Sequence, residues 1–159
     1  MIRMEAEYDS LTKLENRAKY NIRVKREYQK LNSIYVVFLD VNNLKKMNDT
    51  CGHEAGDAVL KRTAEEMKRL VSDTVHGYRF GGDEFVFVFC DYKEDEAYRL
   101  LKNWQKGMQP LSGDEYPVKC SLAIGGAYAS RPFDLDIVLK QADDNMYRTK
   151  LAMKAQRTD

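Results

Sequence analysis

The chain has 159 residues, a length suited to one domain with a self-sufficient hydrophobic core. Lys and Arg number 26 against 25 Asp and Glu; this net charge of +1 argues against a nucleic-acid binder, which carries a strong basic excess. No apolar run reaches the ~18 residues of a membrane helix, and Met1-Ile2-Arg3-Met4-Glu5 is not a signal peptide, so the chain reads as cytoplasmic, or as the cytoplasmic domain of a larger membrane or sensor protein.

In chain order, Leu11, Leu14, Ala18 and Ile22 recur at helical spacing and predict a helix over residues 11–31, capped by Asp9 or Ser10. Residues 34–40 form a β-branched apolar run ending in Asp40, the pattern of a buried central strand. Residues 42–56 are polar and turn-rich, and 42–45 can open a short helix. A helix over 54–71 carries Leu60, Ala64, Met67 and Val71 on one face. Strands at 76–80 and 84–90 flank Gly81-Gly82 and predict a β-hairpin. A helix at 94–108, a strand region at 117–128 and a helix at 134–153 complete the chain. The order β-α-β-β-α-β-α after the opening helix predicts an α+β, ferredoxin-like or palm-type sandwich: an antiparallel central sheet flanked by helices. Cys51, Cys90 and Cys120 form no CxxC pair and read as reduced thiols.

Three acids carry the expected chemistry. Asp40 ends the first predicted strand, and Asp83 and Glu84 sit in the predicted hairpin turn. Clustered carboxylates repel one another unless a cation lies between them. Mg²⁺ suits such a site, because it takes oxygen ligands from one or two carboxylates plus substrate phosphates.

The run Arg79-Phe80-Gly81-Gly82-Asp83-Glu84-Phe85 is far more specific than a generic Gly-Gly turn. It resembles the signature of GGDEF-domain diguanylate cyclases. Three further segments agree in order: Asp9-Ser10-Leu11-Thr12-Lys13-Leu14-Glu15-Asn16-Arg17, the block from Asp40 to Asp57, and Ala142-Asp143-Asp144-Asn145-Met146-Tyr147-Arg148-Thr149-Lys150. The resemblance spans nearly the whole chain, read as a single domain over 1–159 with residues 1–8 as the end of a linker from an upstream region.

The resemblance implies a site. Asp40, Asp83 and the main-chain oxygen of Val41 are the implied metal ligands, and Glu84 is implied to serve a second ion. Mg²⁺ is the implied cofactor, with Mn²⁺ as a substitute. Lys45, following Asn43 and Leu44, faces the triphosphate. Asn48 and Asp57 read guanine, and Lys150 and Lys154 hold the terminal phosphates. Asp83, Glu84 and Lys45 are the implied catalytic set. The implied reaction joins two GTP into cyclic di-GMP and pyrophosphate across a homodimer, under an upstream sensor or regulatory domain. A catalytically degenerate domain that binds GTP or another protein is the alternative. His53 receives no catalytic role, and Arg79 is read as ordering nearby carboxylates.

The sequence departs from the family pattern in places. Asn42 stands for the second Asp of D-x-D, and Leu44 for the usual Phe. Leu151-Ala152-Met153-Lys154-Ala155-Gln156 replaces the usual G-x-N ending, and Lys154 stands where arginine is common. Where the family often carries the product-inhibition motif R-x-x-D, this chain has Ser72-Asp73-Thr74-Val75, with both charged ends missing. The expected consequence is no feedback inhibition through that site. Calorimetric titration with cyclic di-GMP should show no micromolar or tighter binding there, and such binding would overturn this reading.

Overall fold

The computed structural model describes residues 6–156. Its centre is a five-stranded sheet, β1 (Glu15–Asn16), β2 (Ser33–Asn42), β3 (Val75–Gly81), β4 (Glu84–Cys90) and β5 (Ser121–Ser130), in the order β1-β3-β4-β2-β5. β2 pairs antiparallel with both β4 and β5, and β3 with β4. The two-residue β1 joins β3 in parallel, which makes the sheet mixed. The helices are α1 (Arg17–Arg26), α2 (Leu44–Cys51), α3 (His53–Lys68), α4 (Glu94–Lys106) and α5 (Leu135–Gln156). This is the expected α+β sandwich.

β2 is buried along all ten residues because it has a strand on each edge and helices on each face. Its alternation sorts the core in two. Tyr35, Val37, Leu39 and Val41 pack with α2, α3 and α4 through Met47, Val59, Met67 and Trp104. Ile34, Val36 and Phe38 pack with α1 and α5 through Tyr20, Val138, Ala142 and Met146. Asp40 falls on the α1–α5 face by the same alternation, which is why α5 supplies its partner.

The opening helix is shorter than its spacing suggests. Asp9 accepts hydrogen bonds from the Thr12 amide and hydroxyl at 2.8 and 2.7 Å, which closes a turn. Lys13 then takes a left-handed φ of 65°, a conformation no helix tolerates. Asn16, not Asp9 or Ser10, caps α1 by accepting from the Lys19 amide at 3.1 Å. At the other end α1 stops at Arg26, and a short 3₁₀ turn, Tyr28–Lys30, follows. The stretch 42–56 is more helical than its polarity implied: α2 fills it, and Gly52 at φ 93° makes the corner into α3. Of the expected linker tail at 1–8, residues 1–5 lie outside the described residues. No helix among the described residues is long and apolar enough to cross a membrane.

α5 lies unusually close to β5. A Cβ built on Gly125 would overlap the Met146 main chain. Asn145 Nδ2 also donates to the Gly126 carbonyl at 2.8 Å. Gly125→Ala must therefore push helix from sheet. Urea unfolding should show a loss of about 1–3 kcal/mol or more, and a loss below a few tenths would contradict this packing.

Candidate active site

Asp40 and Glu84 are direct partners across the antiparallel β2–β4 register, so their side chains share one face. Asp40 is 8% exposed. Its Oδ2 accepts from Lys150 Nζ of α5 at 2.8 Å, while Oδ1 is buried with no hydrogen-bond partner. Burial, and secondly the neighbouring Asp83 carboxyl, raise the Asp40 acid to about 6 against the opposing pull of Lys150. Glu84, half-buried, is also raised, first by burial and then by Asp143, Asp40 and Asp83, with Arg17 opposing. For Lys150, burial works against the charge, but the bond and charge of Asp40 outweigh it and the ammonium is held more firmly.

The hairpin turn is fixed to its neighbours on two sides. The Val41 amide donates to the Asp83 carbonyl at 3.1 Å, which ties the turn to the end of β2. Arg79 donates to the Gly82 carbonyl through Nε and Nη2 at 3.2 and 2.7 Å, and through Nη1 to both Asp9 oxygens at 3.2 and 3.0 Å. The carboxylate that Arg79 orders is thus Asp9, not the signature pair. Burial raises Asp9, but its bonds to Thr12 and Arg79 outweigh that and hold the carboxyl below its ordinary value.

Beside the turn lies a cleft of about 420 Å³ lined by Val41, Asn43, Leu44, Lys45, Lys46, Asp49, Asp83 and Lys150. The α2 N-terminus opens into it. Asn43, the N-cap at φ 67°, turns its side chain away to donate to the Lys119 carbonyl at 2.9 Å, so no side chain caps α2. The first-turn amides and the helix dipole suit an anion there. Lys45 is exposed, with Nζ 2.8 Å from Asp49. A larger cavity, about 490 Å³, lies at the far end of the molecule, around Gln29, Arg131 and Phe133, and holds none of the motif residues.

The α2–α3 corner forms a second end of the site. Asn48 Oδ1 is buried and unpartnered. Gly56 of α3 sits against this amide so tightly that a Cβ there would collide with it. Asp57 follows, exposed, on the same turn of α3. An unpartnered amide oxygen beside a free carboxylate is a pair of acceptors suited to a base with adjacent N–H donors.

The structure thus brings together Asp40, Val41, Asp83, Glu84, Asn43, Leu44, Lys45 and Lys150, with Asn48 and Asp57 at the neighbouring corner. Lys154 is exposed on α5 and does not line the cleft. Asn42 is 2% exposed and donates to Ser121 Oγ at 3.0 Å and Met153 Sδ at 3.5 Å, leaving its own Oδ1 unpartnered. Arg17 and Asp143, which flank Glu84 electrostatically, were not singled out from the sequence, although both stand inside motifs read there. Asp40's bare, buried oxygen beside Asp83 fits a divalent cation that takes oxygen donors. The described residues hold no preassembled group of three or more metal-binding side chains.

The sequence pattern of the family described as "Diguanylate cyclase, GGDEF domain" matches residues 6–156. The chain belongs to the GGDEF family. The diguanylate cyclase DgcS of Shewanella oneidensis is 32% identical over 151 residues, covering 92% of this chain and 50% of the relative. An uncharacterised membrane protein of Staphylococcus aureus is 32% identical over 158 residues, covering 92% of this chain and 44% of that protein. The chain therefore spans about half the length of these curated relatives. Among solved structures, the GGDEF domain of PA1120 (TpbB or YfiN) from Pseudomonas aeruginosa superimposes with a TM-score of 0.79 at 32% identity, covering 91% of this chain and 89% of that one. The coiled coil and GGDEF domain of DgcB from Caulobacter crescentus, in complex with c-di-GMP, has a TM-score of 0.83, with 95% and 84% covered; at 24% identity it speaks to the fold alone.

The raised Asp40 acid sets a pH dependence. A carboxyl whose pKa rises on folding contributes stability below its unfolded value, about 3.9, and that stability is lost as pH climbs through the folded value, here about 6. Without divalent cations the melting temperature should carry a falling component between pH 4 and 6, which Asp40→Asn removes. An identical profile in that variant would contradict the assignment.

Proposed function

We propose that this GGDEF domain is a diguanylate cyclase, in which two copies each hold one GTP and condense them to cyclic di-GMP. The observation that carries the reading is the meeting of Asp40, with its bare oxygen, and Asp83 at the mouth of a lysine-lined cleft. Asp40, Asp83 and the Val41 main-chain oxygen would hold Mg²⁺, with Glu84 as a further carboxylate. When bound, that ion supplies charge neutralisation at the transferring phosphate.

The protein's own groups do the positioning. Lys45 and the uncapped amides of α2 receive the phosphates. Lys150, paired with Asp40 at the edge of the cleft, would turn its ammonium to the same phosphates, and Lys154, exposed further along α5, would add a second one. Asn48 and Asp57 accept the N–H donors of guanine, which adenine does not present in that pair. The 3′-oxygen of one GTP bonds to the α-phosphorus of the other. The bond from that phosphorus to the pyrophosphate oxygen breaks, and the hydroxyl proton passes to a signature carboxylate. A second turn of the same chemistry across the facing site closes the ring. The lengths of the relatives fit an upstream sensor or regulatory region, and the catalytic unit sits in the cytoplasm, where GTP is.

A second reading, a GTP-binding regulatory domain without turnover, is favoured by one observation: Asn42 leaves the site one carboxylate short of the family pattern. A dimerised protein incubated with GTP and Mg²⁺ separates the two. The cyclase yields cyclic di-GMP and pyrophosphate, and GTP binding without product would establish the regulatory domain. Asp83→Ala should lower turnover by on the order of 100-fold or more, and undiminished turnover would sink the site assignment. Asp57→Ser should weaken discrimination against ATP by roughly 10–100-fold, the loss of one charged hydrogen bond; unchanged discrimination would contradict the role of Asp57.

A further inference from the structure

Arg17 is the cation beside Glu84 that neither the cleft nor the acid cluster accounts for. It opens α1, directly after β1. In the sheet order β1 lies three strands from β2, roughly 14 Å at ~4.8 Å per strand. The cleft lies on the β2–α2 side of the signature turn, and Arg17 is not among its lining residues. Its guanidinium carbon sits 4.5 Å from the centroid of the Phe80 ring, inside the signature itself, and 5.9 Å from that of Tyr20. Stacking on a ring holds the planar group without using its N–H donors. The side chain is exposed and forms no ion pair or hydrogen bond with any described residue. Its charge still reaches Glu84.

The other cations at this rim are engaged. Lys45 is paired with Asp49, Lys150 with Asp40, and Arg79 with Asp9 and the Gly82 carbonyl. Among the described residues at this rim, Arg17 presents the one guanidinium fork with no hydrogen-bond partner, of the shape that matches phosphate. If the cleft of one copy holds its own GTP on the β2–α2 side, the GTP of a facing copy meets the signature turn from outside, on the α1 side.

Resting on the cyclase reading, we propose that Arg17 is a catalytic residue acting in trans: it donates to the α-phosphate of the GTP bound by the facing copy. During the step the 3′-oxygen of the GTP in Arg17's own chain bonds to that phosphorus. The phosphorus–oxygen bond to pyrophosphate breaks and its electron pair leaves with the pyrophosphate. The hydroxyl proton goes to a signature carboxylate. Arg17 neutralises charge on the non-bridging oxygens and exchanges no proton.

The test starts from wild-type protein that makes cyclic di-GMP; absence of that product fails the cyclase reading, not this one. Arg17→Ala should then lower turnover by on the order of 100-fold, while binding of 3′-deoxy-GTP with Mg²⁺, measured by calorimetry, stays unchanged. Arg17→Lys should recover part of the rate. Mixing Arg17→Ala with Asp83→Ala chains is the decisive arm. The mixed dimer has one intact metal site facing one intact Arg17, so it should form the linear dinucleotide faster than either variant alone. Full turnover in Arg17→Ala would overturn the proposal. So would parallel loss of 3′-deoxy-GTP binding, or a mixture no better than its parts.

Discussion

Two acids face each other across the centre of the sheet: Asp40 on β2 and Glu84 on β4 are register partners, with Asp83 one residue away. Like charges opposite one another on adjacent strands destabilise a sheet, and burial makes the cost larger. Burial is the main force pushing both acids up, Asp40 to about 6 with Asp83 adding to it, and Glu84 with Asp143, Asp40 and Asp83 adding to it. Within the chain the cost is offset in part by Lys150 at Asp40.

The pair is held in place from all sides. Lys150 meets Asp40 from α5, and the charge of Arg17 reaches Glu84 from α1. The first contact depends on α5 pressing onto β5 at Gly125, where no side chain fits between them. The turn between the acids is tied inward by the Val41 amide and outward by Arg79, which also reaches Asp9 in the N-terminal turn. One guanidinium thus joins the turn ahead of α1 to the signature turn. In the proposed function, Mg²⁺ held by Asp40 and Asp83 would replace Lys150 as the partner of Asp40 and leave its ammonium for the phosphates.

Much of this was legible in the sequence. The continuous apolar run of β2, the glycine pair between β3 and β4, the apolar face of α3, and the helices expected at 94–108 and 134–153 pointed to the sandwich. The motif residues Asp83, Lys45 and Lys150 line one cleft, and Asp40 joins it through its ion pair with Lys150. What was hidden has local causes. The spacing of Leu11 and Leu14 mimics a helix, but Asp9 and Thr12 bond each other and Lys13 reverses the chain, so β1 and the Asn16 cap replace the first turns. The helix start expected at 42–45 is α2, but the polarity of the block hid how far it runs, since Met47 is its one fully buried residue. Partnerships such as Arg79 with Asp9 and Arg17 with Phe80 join residues some sixty to seventy positions apart, which no spacing rule reaches. Asn42 is legible as a substitution; its burial against Ser121 and Met153 is visible only in three dimensions.

The partner of Asp40 in the loaded site decides the matter, and a crystal structure with GTP analogue and Mn²⁺, read by anomalous scattering, tests it most directly. The account predicts a metal peak bonded to Asp40 and Asp83, with Lys150 withdrawn from Asp40 onto the phosphates. A nucleotide bound with Lys150 still paired to Asp40, and no metal between the two acids, would contradict it.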